Sequence, residues 1–246
     1  MKWHRLGHFL PEIPGFTHAA LPTFHDGRVF FSPRDSENRS HVYYAHFDPE
    51  KLELGYPVAL FGPGRTGGFD DSGCSVSQVT DEGVLYMGWN LGVTVPFRNT
   101  LAQYHFDGRA REILVQRDEQ YLSIHYGWRD RGRFFYGVIF EWPMKSVIVG
   151  NPSLMTQDIL CRPCVIGDEM WFSYRVPGGE YRIGYARLAG GAWKIESSGL
   201  EPSGEGFESR AVTYPCVFDY NGGRYMLYNG DGYGRTGFGL ARLEAA

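Results

Sequence analysis

The sequence lacks any long apolar run, which argues against a membrane-spanning protein. No stretch approaches the roughly 20 apolar residues that a transmembrane helix needs. Residues Met1 to Arg5 are not followed by the apolar core of a secretory signal peptide. We therefore expect a soluble cytoplasmic protein with no membrane partner.

Basic charge and cysteine are also scarce. The 246 residues carry a formal net charge of −4, so the chain has no basic footprint for a nucleic acid partner. Its four cysteines are Cys74, Cys161, Cys164 and Cys216, and a chain of this length holds a core without disulfides. Cys161 and Cys164 have CxxC spacing without a second pair, and an extended strand through Pro163 turns their thiols to opposite faces. We expect reduced, buried cysteines, no metal site and no cofactor.

Helical periodicity is nearly absent, whereas turn formers and aromatic residues are abundant. The chain has 33 glycines, 14 prolines, 16 tyrosines, 17 phenylalanines and 6 tryptophans. Aromatic side chains favour half-buried strands, and glycine and proline favour tight turns. Short apolar runs recur between these turns, which predicts an all-β protein.

Internal repeats indicate how the strands are organised. Pro-Cys-Val at 163–165 returns at 215–217, and His-Phe-Asp at 46–48 returns at 105–107. Units of about 50 residues are typical of propeller blades. We predict one five-bladed β-propeller domain over 1–246, with blades near 16–55, 66–108, 112–155, 157–200 and 207–246. A β-sandwich is the alternative, but it would not explain the repeats.

In a propeller, the first strand of each blade faces the central channel, where a buried polar side chain needs a reason to be present. The polar residues at the blade starts are His18, Asp70, Asp71, Asp118 to His125, Arg162, Glu208, Arg210 and Tyr214. These residues predict a ring of acids, arginines and histidine around a small-molecule site. We expect His18, His125 and Tyr214 to contact the ligand, and Asp70 to join them.

Asp71 and Glu208 occupy corresponding places in blades two and five. Cleavage of a glycosidic bond needs one carboxylic acid and a second carboxylate that acts as base or nucleophile. We take these two residues as the candidate catalytic pair, with Glu208 as the acid. Acids at strand starts also cap turns or pair with arginines, and this structural role stays open for both. Arg162 and Arg210 are equally suited to pair with them or to bind a substrate carboxylate or phosphate.

Two loops are further candidates for the funnel wall. Arg34 and Asp35 lie in a dense polar stretch between two apolar strands of blade one, which is either a solvated hairpin loop or a wall that binds hydroxyls. Asn229 and Tyr233 lie in the glycine-rich segment 228–237, which lacks the Lys-Ser or Lys-Thr of a nucleotide-binding loop. A long hairpin turn that faces the funnel is the better interpretation.

Several motifs together resemble a family. They are Phe69-Asp70-Asp71-Ser72-Gly73, Gly88-Trp89-Asn90, Arg162-Pro163, Tyr214-Pro215 and the segment 228–239, with Ser32 to Asp35 in blade one. The chain resembles bacterial predicted glycosidases related to five-bladed propeller enzymes of the arabinanase, β-xylosidase and invertase type. The resemblance implies a sugar substrate and adds Trp89 to the substrate-binding residues. His18 stands where those enzymes typically have an aspartate, and blade three, from Glu119 to Trp142, departs from the pattern.

Three functions are consistent with these residues. The first is hydrolysis of a small soluble sugar conjugate by the Asp71 and Glu208 pair. The second is glycosyl transfer or phosphorolysis on a phosphate-bearing sugar, which arginines in the funnel would favour. The third is sugar binding without catalysis.

Overall fold

The computed structural model describes residues 1–90, 99–116, 121–140, 145–156, 158–175 and 178–244. These residues form strands joined by turns and loops, with 3₁₀ turns at Gly206–Glu208 and Asp231–Gly234. Within the described ranges, no helix has the length and apolar character needed to cross a bilayer. Asp118, Glu119 and Trp142, which were considered for blade three, lie outside the described residues.

The strands group into five small sheets. The chain begins with β1 (Trp3–Phe9). Blade one contains β2 (Thr17–His25), β3 (Arg28–Arg34), β4 (Val42–Asp48), β5 (Glu53–Leu54) and β6 (Val58–Phe61). Blade two contains β7 (Gly73–Thr80), β8 (Gly83–Trp89), β9 (Asn99–His105) and β10 (Glu112–Gln116). Blade three contains β11 (Tyr121–Asp130), β12 (Arg133–Phe140), β13 (Lys145–Val149) and β14 (Leu154–Thr156). Blade four contains β15 (Ile159–Ile166), β16 (Glu169–Arg175), β17 (Arg182–Ala189) and β18 (Ala192–Glu196). Blade five contains β19 (Thr213–Tyr220), β20 (Gly223–Asn229) and β21 (Phe238–Leu243).

The blades are arranged in a ring. The first strands contact one another in the order β2, β7, β11, β15, β19 and back to β2. Within each blade the strands are antiparallel. The prediction of an all-β, five-bladed propeller is confirmed, and five separate sheets exclude the β-sandwich.

The N-terminal strand completes the last blade. β1 pairs antiparallel with β21, with Trp3 opposite Leu243 and Phe9 opposite Phe238. The indole Nε1 of Trp3 also donates to the Ser198 carbonyl at 2.9 Å. The two ends of the chain therefore close the ring together, and the sequence-based blade ranges had left residues 3–9 unassigned.

Tight hairpins connect the first two strands of blades one, three and five. Their turns are Asp26-Gly27, Arg131-Gly132 and Asn221-Gly222, and both residues of each turn have positive φ. Such two-residue turns suit the twist of a hairpin, and the glycine meets the conformational requirement without strain. They fix the register of the channel-lining strands at the end opposite the candidate site.

Candidate functional site

A cavity of ≈ 330 Å³ lies where the first strands converge on the axis. This volume is at the lower end of the range for small-molecule sites. Its walls are formed by Ala20, Leu21, Ser32, Arg34, Ser40, Ser75, Tyr126, Tyr214 and Tyr233. Three of these nine residues, Arg34, Tyr214 and Tyr233, are among the residues selected from the sequence.

The backbone of the first strands explains how side chains reach this cavity. All five first strands contain a shift in register within the strand. At four of the shifts a residue other than glycine has positive φ, namely His18 (66°), Leu21 (60°), Arg162 (52°) and Tyr214 (55°). β-Bulges next to active sites redirect side chains in this way. Arg162 and Tyr214 both precede the repeated Pro-Cys-Val, so the register shift recurs at the same place in blades four and five.

One wall of the cavity presents hydroxyl groups. The Ser40 and Ser75 hydroxyls are 3.2 Å apart, and Ser32 Oγ accepts a hydrogen bond from the Val76 amide at 2.9 Å. Trp89 supports this wall from behind, because its Nε1 donates to Ser40 Oγ at 2.9 Å. The serines were not selected from the sequence, since scattered serines carry no distinguishing pattern there.

Arg34 adds positive charge beside these hydroxyls. Its guanidinium lies 5.8 Å from the Trp89 ring centroid, and Nη1 donates to Asn38 Oδ1 at 3.0 Å. His18 stands nearby, and burial together with the charges of Arg34 and Arg235 lowers its pKa to about 4. His18 is therefore neutral at neutral pH, whereas the arginine stays charged.

Arg162 places a second positive charge next to the cavity, and its side chain is fully buried. It donates to the Val76 carbonyl at 2.6 Å and to Thr23 Oγ1 at 2.7 Å, and its guanidinium lies 5.8 Å from the Tyr126 ring. Its Nε has no partner among the described residues. Burial lowers its pKa, and the groups that oppose this effect are thiols and tyrosines, with no carboxylate among them. Among the described residues, its hydrogen-bond partners are neutral groups, including the Val76 carbonyl and the Thr23 hydroxyl.

Glu208 does not line the cavity. Its side chain is buried, and Oε1 accepts from Arg5 Nε of β1 at 2.6 Å. Arg5 also donates to the Glu201 carbonyl. The carboxylate thus ties the loop before β19 to the outermost strand of blade five.

Asp70 occupies the equivalent place in blade two. Its buried carboxylate accepts from Tyr86 at 2.9 Å and pairs with Arg111, which also donates to the Gly62 carbonyl at 2.8 Å. Phe69 precedes Asp70 and Phe207 precedes Glu208. Blades two and five therefore share an aromatic residue followed by a carboxylate before the first strand. We name the two groups, Asp70 with Arg111 and Glu208 with Arg5, the carboxylate latches.

Asp71 lies on the turn that leads into β7. Its carboxylate accepts from the Gly67 amide and from the Ser72 hydroxyl, both at 3.0 Å. Gly73, two residues later, contacts Ser40 on the cavity wall through an isolated bridge. Asp71 is therefore near the cavity along the chain, while Glu208 pairs with Arg5 of β1, and the described contacts do not bring the two carboxylates together.

The remaining candidates support the site or lie apart from it. Asn229 Oδ1 accepts a hydrogen bond from the Leu21 amide at 2.7 Å, and Asn229 Nδ2 donates to the carbonyls of Ala19 and Gly237. Asp35 accepts from Arg39 and His41, both at 3.0 Å, and so stabilises its own loop.

Arg210 and His125 do not support the cavity wall through hydrogen bonds of this kind among the described residues. The Arg210 side chain is exposed and lies 4.0 Å from Glu180, away from the cavity wall. The Nε2 atom of His125 is buried without a partner among the described residues. Burial and the Arg175 charge lower the pKa of His125 to about 4.

Comparisons with solved structures identify the fold. The fold is similar to that of a β-1,2-mannobiose phosphorylase from Listeria innocua (TM-score 0.62, 11% identity, 99% of this chain and 97% of that one). It is also similar to an endo-arabinase from Bacteroides thetaiotaomicron (TM-score 0.62, 12% identity, 93% and 95%). A thermostable family-43 glycoside hydrolase matches with TM-score 0.60, 13% identity and 96% and 92% of the two chains. The chain thus has the five-bladed propeller fold of these carbohydrate-active enzymes.

Two relatives found by sequence are more similar to this chain than these solved structures are. Two Mycobacterium tuberculosis proteins, described as uncharacterized proteins MT1551 (strain CDC 1551 / Oshkosh) and Rv1502 (strain H37Rv), are each 35% identical over 303 aligned positions. The alignments cover 99% of this chain and 100% of each relative. The chain belongs to the family of these mycobacterial proteins. No family model matches it.

Proposed function

We propose that the protein is a carbohydrate-active enzyme that transfers a glycosyl group to or from phosphate in the axial cavity. The observation that carries this proposal is the charge of the cavity. Arg34 lies on its wall and Arg162 lies fully buried beside it, and no described residue of the wall is a carboxylate. A guanidinium among hydroxyl groups suits a phosphate oxyanion together with a sugar.

The chemistry of phosphorolysis fits such a cavity. A hydrogen phosphate oxygen forms a bond to the anomeric carbon, the glycosidic bond breaks, and the leaving oxygen is protonated. The proton that hydrogen phosphate gives up balances the proton on the leaving alcohol, so no second carboxylate is needed as a base. One acid at the leaving oxygen is sufficient. Asp71 is our candidate for it, because it lies two residues before Gly73, which contacts Ser40 of the wall, although Asp71 does not itself line the cavity.

Hydrolysis by two carboxylates is the second candidate. It is favoured by the similarity of the fold to glycoside hydrolases and by the position of Asp71. The engagement of Glu208 with Arg5 weighs against the proposed pair, because the carboxylate of an acid or base must reach the scissile bond. A sugar conjugate as ligand and a cytoplasmic location remain parts of the proposal.

The test compares turnover with and without phosphate. A panel of p-nitrophenyl glycosides is incubated with orthophosphate or with buffer, and glycosyl phosphate is followed by ³¹P NMR. We expect a glycosyl phosphate product that requires phosphate. Equal release of p-nitrophenol without phosphate would establish hydrolysis, and saturable binding without turnover would establish a binding protein.

Arg34→Ala tests the anion site itself. Loss of a hydrogen bond to a charged group, worth about 1.5–3 kcal/mol, should weaken phosphate binding about 10- to 100-fold. Arg210→Ala is the matched control, because Arg210 pairs only loosely with Glu180 at 4.0 Å and does not line the cavity. Equal effects of the two substitutions would refute the assignment of phosphate to Arg34.

A further inference from the structure

A row of four tyrosines runs from the axis to the mouth of the cavity. The ring centroids are 5.7 Å apart for Tyr126 and Tyr214, 6.2 Å for Tyr214 and Tyr181, and 5.7 Å for Tyr181 and Tyr233. The first two rings are buried, whereas Tyr233 is 46% exposed. Tyr126, Tyr214 and Tyr233 line the cavity itself. Aromatic surface therefore continues outward beyond the enclosed volume.

The backbone holds Tyr233 in an unusual conformation. Its φ is 59°, in the left-handed region that favours glycine, and both neighbours, Gly232 and Gly234, also have positive φ. A non-glycine residue in this region is strained, and it keeps this conformation only where the surrounding structure enforces it.

Two anchors enforce this conformation. The Asp231 carboxylate accepts from Ser209 Oγ at 2.6 Å and from the amides of Arg210 and Ala211 at 2.9 and 2.8 Å. On the other side, Gly234 packs so closely on blade one that a Cβ atom there would lie 2.6 Å from Ala20 Cα. The loop is fixed at both ends of the residue, and the edge-to-face contact with Tyr181 orients the ring.

The opposite wall has the complementary chemistry. Ser32, Ser40, Ser75 and Arg34 supply hydroxyl and guanidinium groups from blades one and two. A sugar ring has a C–H face that packs on aromatic carbon and an edge of hydroxyls that hydrogen-bonds. A ring in the cavity can therefore use both walls at once, and a ring attached to it toward the mouth meets Tyr233.

We infer that Tyr233 is the platform for a second ring, the leaving or accepting group on the other side of the bond that is transferred. The ligand class is a glycoside whose aglycone is itself a sugar ring or an aromatic ring. This inference rests on the proposed function. It makes Tyr233 a residue that determines specificity for the aglycone.

The experiment compares methyl and p-nitrophenyl glycosides of glucose, mannose, galactose, N-acetylglucosamine, xylose and arabinose. Saturation-transfer NMR identifies the sugars that bind, and titration gives the two dissociation constants for each. An aromatic contact predicts that the p-nitrophenyl glycoside binds about 3- to 10-fold more tightly than the methyl glycoside. Saturation should then reach the nitrophenyl protons as strongly as the sugar protons.

Tyr233→Ala should abolish this preference. Because Tyr233 also lines the cavity, the readout is the ratio of the two dissociation constants and not the affinity for either glycoside alone. Tyr233→Phe should retain the preference because it keeps the ring. Tyr56→Ala is the control for removal of an exposed tyrosine, since Tyr56 is 94% exposed and is not part of the cavity wall.

The outcomes separate the inference from the proposal on which it rests. If glycosides bind with an aglycone preference that survives Tyr233→Ala, the platform is refuted and the proposed function stands. If no glycoside of either series binds, the proposed function fails and the platform fails with it. Loss of the preference in Tyr56→Ala as well would also refute a specific role of Tyr233.

Discussion

Replacement of Glu208 by glutamine separates a structural role of this carboxylate from a catalytic one. The substitution keeps the shape of the side chain and removes its charge. In the structure the carboxylate is buried and meets the Arg5 guanidinium at 2.6 Å, while the arginine side chain itself is 39% exposed. We therefore expect Glu208→Gln to reduce stability and to leave the axial cavity intact.

The magnitude follows from this geometry. A hydrogen bond to a charged group contributes about 1.5–3 kcal/mol, and water can replace part of it at the partly exposed Arg5. We expect a loss of about 2 kcal/mol in the free energy of unfolding. For a domain of this size, this corresponds to a fall in Tm of about 4–8 °C.

The assay is thermal and guanidinium unfolding followed by circular dichroism, together with turnover measured well below Tm. Asp70→Asn provides the matched comparison, because Asp70 forms the other carboxylate latch with Arg111 and Tyr86. Both variants should lose stability and keep turnover. A Glu208→Gln protein with wild-type stability and a loss of turnover of 100-fold or more would refute the latch and restore Glu208 as a catalytic residue.

Three further predictions concern pH, Arg162 and Gly234. Burial and neighbouring arginines hold the pKa of His18 and His125 at about 4, so their imidazole NMR signals should titrate near 4 instead of 6.5. Because the unfolded chain binds these protons first, stability should decline as the pH falls from about 6.5 towards 4, and unfolding at pH 7 and 4.5 measures this decline. Arg162→Lys should destabilise the protein by about 2 kcal/mol, because an ammonium cannot reach both Val76 and Thr23 in the same geometry, and an unchanged guanidinium midpoint would contradict this. Gly234→Ala should weaken binding of p-nitrophenyl glycosides by displacing the mouth loop, because a Cβ atom meets the Ala20 backbone at 2.6 Å; wild-type affinity in the titration would show that the loop tolerates the shift.

The sequence predicted the architecture because the information is local and repeated. Pro-Cys-Val at 163–165 and 215–217 marks blades four and five, His-Phe-Asp at 46–48 and 105–107 marks blades one and two, and turn residues separate the strands throughout. Closure of the ring is different, since β1 and β21 come from opposite ends of the chain and share no repeat. Nothing in residues 3–9 alone indicates that they belong to the last blade.

The site was predictable only in part, for a related reason. Arg34, Tyr214 and Tyr233 were selected as polar or aromatic residues near strand ends, and they line the cavity. Glu208 was selected by the same criterion, but its environment is set by Arg5, which is 203 residues away in the chain. An acid before a first strand looks the same in sequence whether it faces the channel or a latch, and only the tertiary partner distinguishes the two.

The pairing of β1 with β21 has a consequence for the order of events during synthesis on the ribosome. Residues 3–9 are made before blades one to four, whereas their hydrogen-bonding partners, residues 238–243, are made after them. While the residues between them are made, this seven-residue strand must stay unpaired or pair transiently, and the edge of blade five is open until β1 pairs with it. Completion of the ring therefore waits until β21 has been made, and a nascent chain that stalls after blade four holds a β1 strand with no native partner.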